Sequence, residues 1–179
     1  MGDAERRFRD LFESTLQARL ERQARSRIHP IIPGVFFSHA SRESRNLFVE
    51  GHFYGSITLS QAVAEGLAKF LCESNGVSAK PPEGRAQRLR DKGVISDAAL
   101  DAFKAIRGTD RNNFHHMNRD VEIDYQKLDA RAFECVEGLY AIESEVFAFD
   151  TGAGGAISVR HAQYWDIKDG VGAVHLWFE

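Results

Sequence analysis

The chain is poor in cysteine, with two in 179 residues, Cys72 and Cys135, each in an apolar helical context. That excludes a disulfide framework and fits a reducing compartment. No apolar run approaches the 18 or so residues of a membrane span. The opening "MGDAERRFRDLF" has no apolar stretch after its charges, so no secretory signal is expected, and Arg6 stands where a myristoylation signal needs Ser or Thr. A cytoplasmic setting without membrane contact is the expectation. There is also no excess of positive charge: the formal net charge is −3 and the pI about 6.2. This excludes a protein that coats nucleic acid through bulk charge, though not a local basic site.

What is present fits one globular domain: 43% hydrophobic and 27% charged residues, with thirteen phenylalanines for a bulky core. Residues 3 to about 25 read as an amphipathic helix, with Phe8, Leu11, Phe12, Leu16 and Leu20 on one face. The prolines and glycine of "IHPIIPGVFF" forbid its continuation. "SRESRNLFVEGHFYGSITLSQAVAEGLAKFLCESNG" is helical in two pieces or one kinked piece, stopping at Asn75-Gly76. Residues 77–93 hold a short helix between loops. Ser96 is an N-cap with Ile95 and Leu100 as a hydrophobic staple. The helix it opens reaches Gly108-Thr109, which either weakens or breaks it.

Leu128, Ala132, Cys135, Leu139, Ile142 and Val146 mark a long core helix, with a dimerising coiled coil as the alternative. The period then changes to alternation, and Asp169-Gly170 signals a tight turn. The predicted fold is mainly α: a helical bundle over residues 1–150, with a C-terminal β-hairpin over 151–179 as an appendage of the same domain. Such a hairpin must lie on the helices or pair elsewhere. His161 and His175 are expected to pair across its strands.

The stretch "DRNNFHHMN", residues 110–118, gathers one arginine, three asparagines and two histidines among its residues. A guanidinium is a permanently charged fork that matches phosphate oxygens. An imidazole accepts and returns a proton near neutrality. Together they suit metal-free RNA cleavage, with histidine as acid or base, arginine on the scissile phosphate, and an asparagine orienting either. On a continuous helix Arg111 and His115 share one face, and Asn112 and His116 the next. If the helix breaks at Gly108-Thr109, the cluster instead opens a new helix, where free backbone N–H groups favour anions.

The run "FKAIRGTDRNNFHHMN" resembles the signature of the HEPN superfamily of helical, RNA- and nucleotide-associated domains. That pattern is Arg, four to six residues, then His, often with a polar residue directly after the arginine. Arg111, Asn112 and His116 match it. "FVEGHFYGSITLSQAVAEGLAKFL" resembles the family's second helical region, with Glu65 at the position of its glutamate. The resemblance covers roughly residues 45–147. It implies an HEPN-like bundle and a homodimer in which the motifs of two chains meet. It also implies a metal-independent endoribonuclease, in a toxin–antitoxin or phage-defence role, with a nucleotidyltransferase-like antitoxin as partner. Arg111, His116 and Asn112 would be its catalytic residues, with Glu65 and His115 in support. Inactive members of the family serve as dimeric modules that bind nucleotide, RNA or protein, and this is the alternative reading.

"KPPEGRAQRLRDKG" carries Arg85, Arg88 and Arg90, which are either a solvated surface or a landing strip for RNA phosphates. No cofactor is expected. No metal is expected either, because adjacent histidines rarely converge on one ion from a helix.

Overall fold

The computed structural model describes residues 2–33, 35–108, 124–165, 167–168, 171–172 and 174–176. Among these residues the chain is mainly helical, with six α-helices and three short antiparallel strand pairs. Helix α1 spans Asp3–Arg25, α2 Val35–Glu50, α3 Phe53–Ser74, α4 Arg85–Asp91, α5 Asp97–Arg107 and α6 Tyr125–Val146. No helix among the described residues is long and apolar enough to cross a membrane.

The core lies between α2, α3, α5 and α6, where Phe48, Ile57, Leu67, Leu71, Ile106, Ala132, Cys135 and Ile142 are buried. The heptad-like stripe of α6 is buried along its whole length, so it serves the core of one chain. Gly138 lets α6 approach α5 closely: a Cβ there would stand 2.8 Å from Ile106 Cγ1. The two-piece reading of residues 41–76 is the correct one, because α2 and α3 are separated at Gly51, whose φ of +86° suits a residue without a Cβ.

Local capping follows the chemistry of the residues. Ser96 Oγ accepts from the Ala99 amide at 3.1 Å and closes the start of α5, with Ile95 and Leu100 both buried beside it. Asp124 accepts from the Gln126 amide at 2.9 Å and does the same for α6. Helix α5 ends at Arg107, with Gly108 as its C-cap at φ +52°. The break at Gly108 is therefore real on its upstream side.

Strands β1 (Ile31–Pro33), β2 (Phe149–Thr151), β3 (Ile157–Val159), β4 (Ile167–Lys168), β5 (Val171–Gly172) and β6 (Val174–Leu176) form pairs β1–β6, β2–β3 and β4–β5. In the β4–β5 pair Lys168 stands opposite Val171, and the predicted Asp169-Gly170 turn lies outside the described residues. The C-terminal β region is thus a chain of small pairs, and β2 straddles the expected boundary at 150. His175 stands opposite Ile32 in the β1–β6 pair, while His161 lies beyond β3 and packs near Tyr164 at 5.7 Å. The expected cross-strand pair of these histidines is therefore not formed. The C-terminal part is fastened to the helices by Trp165, which packs edge-on to Phe147, and by Tyr164, whose hydroxyl accepts from Asn75 Nδ2 at 2.9 Å.

Candidate functional site

Arg111, Asn112, His115 and His116 lie outside the described residues. The other candidate site residues, Glu65, Arg85, Arg88 and Arg90, are described, and two of them share a cleft. A cavity of about 200 Å³ opens between α3, α4 with its preceding loop, and α5. Gln61, Glu65 and Ala68 line it from α3, Pro82 to Gln87 from the loop and α4, and Phe103, Lys104 and Arg107 from α5.

Each wall has a local cause. Gln61 and Glu65 are four apart on α3, so one helix face carries both. Gln61 is buried, and its Nε2 donates to the carbonyls of Ile106 at 3.2 Å and Arg107 at 3.5 Å. This fixes the amide orientation, and Oε1 has no hydrogen-bond partner among the described residues. Glu65 sits one turn on, at an exposed position with polar contacts of its own.

The second wall depends on Arg88. Its guanidinium donates to the carbonyls of Ser78 at 3.0 Å, Pro81 at 2.6 Å and Glu83 at 2.9 Å. The loop is thereby folded around an arginine whose donors are spent on backbone. Arg90 ion-pairs with Asp97 at 2.6 Å, tying α4 to the start of α5, and that pairing holds the Asp97 carboxyl below its usual range. Of the three candidate RNA-binding arginines, only Arg85 lines the cleft. Its Nε donates to Ala79 O at 2.7 Å, and its terminal nitrogens have no partner among the described residues.

The α5 wall adds two cations that sequence reasoning overlooked. Lys104 and Arg107 are exposed and three apart, and the side chain of neither has an ion pair or hydrogen bond among the described residues. Their spacing on one face of an amphipathic helix was the available signal. Gln61 was also missed, and nothing local marks it, because its partners are 45 and 46 residues away. Three cations against the two carboxylates Glu65 and Glu83 make the lining net positive on a chain that is net negative. That combination favours an anionic ligand held by charge-assisted hydrogen bonds.

Two buried titratable groups lie elsewhere. Glu143 on α6 is almost fully buried, and loss of water pushes its carboxyl up to about 8 despite a hydrogen bond with Ser41. Burial likewise raises the Cys135 thiol to about 11, which makes it inert at neutral pH. Among the described residues no group of three or more His, Cys, Asp or Glu could hold a metal ion.

No protein-family model matches this chain, and neither does any curated protein or solved structure.

Proposed function

We propose that the protein is a metal-independent endoribonuclease of HEPN type, with a toxin or phage-defence role in the cytoplasm. The observation that carries this reading is the cleft. Glu65 and Arg85, singled out from sequence on separate grounds, line one cavity with Lys104 and Arg107. Arg107 is the last residue of α5, four positions before Arg111. A volume near 200 Å³ is below the ~300–1,000 Å³ of a pocket that swallows a whole small ligand, which suits one unit of a longer chain.

In this reading Arg85, Lys104 and Arg107 hold phosphate oxygens of single-stranded RNA. Arg111 neutralises the charge that develops on the scissile phosphate, and His116 moves the proton to or from the 2′-hydroxyl or leaving oxygen. Asn112 orders the pair, with Glu65 and His115 in support. No cofactor takes part. The partners implied are a second copy of the chain, RNA, and a nucleotidyltransferase-like antitoxin.

A second reading is favoured by one feature of the cleft. Among the described residues its lining contains no histidine, cysteine or hydroxyl side chain, so these residues by themselves are equipped to bind and not to cleave. On this reading the protein is a helical module that binds RNA or nucleotide without turnover. Incubation with an excess of single-stranded RNA in EDTA separates the two. Turnover that is lost in Arg111→Ala and in His116→Ala supports the nuclease. Stoichiometric binding without products supports the module.

A further inference from the structure

The apolar face of α1 is exposed to solvent. Phe8 is 74% exposed, Leu11 62%, Phe12 44%, Leu16 39% and Leu20 53%. The last two turns of α1 are well anchored: Arg19 pairs with Glu50, Arg22 Nε donates to Val49 O at 2.9 Å, and Arg25 pairs with Asp129. Before them the helix projects, and every residue from Asp3 to Ser14 is exposed. The polar contacts of this part are internal to the helix, such as Arg6 with Asp3 and Arg9 with Glu5. A helical segment of this length is marginal in water without tertiary packing. An amphipathic helix that leaves its apolar stripe in solvent therefore requires a partner.

We infer that this stripe is a self-association surface, and that α1 packs antiparallel against α1 of a second copy. Three observations select that occupant. The five exposed side chains present roughly 500 Å² of apolar surface per chain, at the upper end of what a monomer leaves uncovered. Two copies together offer about 1,000 Å² of apolar surface from these residues, on the order of what a specific interface needs.

The charge pattern is the second observation. Residues 3–18 carry four acidic and three basic side chains. Helices that lie on anionic membranes are rich in Lys and Arg on the polar face, so this mixture disfavours lipid and suits a helix of the same mixed kind. Third, the stripe is self-complementary. A two-fold axis between Phe12 and Leu16 brings Phe12 onto the partner's Leu16 and Phe8 toward the partner's Leu20, a closed isologous contact. Helix α1 lies outside the segment that carries the family resemblance, and this inference does not depend on the nuclease reading.

The test is the mass of the full chain in solution by light scattering, for wild type and for the Phe8→Glu/Phe12→Glu variant. Both positions are exposed, so the variant keeps its core, and circular dichroism and thermal unfolding check this. The expected result is a mass that halves in the variant, from two chains to one, or from four to two where the motif-bearing segments also join two copies. Thr15→Cys, at the centre of the stripe, is then expected to cross-link between copies on oxidation, since Cys72 and Cys135 are buried.

A one-chain mass for wild type at every concentration overturns the inference, as does a mass that is the same in wild type and variant. A dimer in which Thr15→Cys fails to cross-link overturns the antiparallel arrangement. Binding to anionic vesicles that needs Phe8 and Phe12, without self-association, overturns it in favour of lipid.

Discussion

The side-chain amide of Gln61 on α3 donates to the Ile106 carbonyl in the last turn of α5 at 3.2 Å, and Arg131 of α6 donates to the same oxygen at 2.9 Å. A helix's last carbonyls have no partner within the helix, and here side chains from two neighbours supply one. Three helices therefore meet at one oxygen, and they set the point at which the chain leaves α5. Gly108 completes the arrangement, because a Cβ there would collide with the Arg131 guanidinium.

This predicts coupling between Gln61 and Arg131. Gln61→Leu alone is expected to cost about 1 kcal/mol, since Arg131 still satisfies the carbonyl. Combining Gln61→Leu with Arg131→Ala leaves Ile106 O, among the described residues, with only the distant Cys135 thiol at 4.0 Å. The pair is then expected to exceed the sum of the singles by about 1 kcal/mol. Urea unfolding of the four proteins in the cycle measures it, and strict additivity would show that the shared carbonyl is not where the helices are joined.

Glu143 predicts a pH dependence of stability. Its folded value of about 8 lies above the ordinary carboxyl range, so between those limits the folded state binds the extra proton. Stability from this group is therefore fully present at low pH and is lost as pH rises from about 4.5 through about 8. Glu143→Gln keeps the shape and removes the proton, so the variant is expected to be more stable than wild type above pH 8 and to lack this slope. The scale is on the order of a few kcal/mol. Denaturant midpoints across the pH range check it; parallel curves for the two proteins would be the contrary result.

The cleft predicts a salt signature. Lys104 and Arg107 are exposed, so Lys104→Ala with Arg107→Ala should leave the unfolding midpoint nearly unchanged. Affinity for single-stranded oligoribonucleotide should fall. The slope of log affinity against log salt should shrink by about 1.4, because two phosphates no longer meet a cation. Fluorescence anisotropy over a salt series reads both. An unchanged slope would remove these cations from the binding surface.

Much of the fold was legible because its causes are local. The stripe from Leu128 to Val146, the Ser96 cap with its Ile95–Leu100 staple and the Asn75-Gly76 stop each depend on residues within a few turns. Long-range pairings were not legible. Nothing near Ile31–Pro33 announces that it will pair with Val174–Leu176, and nothing near Gln61 announces Ile106. The stripe on α1 shows a further limit: periodicity reveals that a face is apolar, but not whether its own chain covers it. Of the candidate site, the resemblance selected Glu65, and composition selected Arg85 together with Arg88 and Arg90. Only geometry separates an arginine lining a cleft from one that folds a loop or pairs with Asp97.

The most direct test of the nuclease account is single-turnover cleavage of a labelled single-stranded RNA in excess EDTA, with binding measured on the same samples. Wild type is expected to bind and cleave. His116→Ala is expected to bind normally and lose cleavage, and Lys104→Ala with Arg107→Ala is expected to lose binding and cleavage together. Cleavage by folded His116→Ala at the wild-type rate, or binding by wild type with no products at all, would contradict the account.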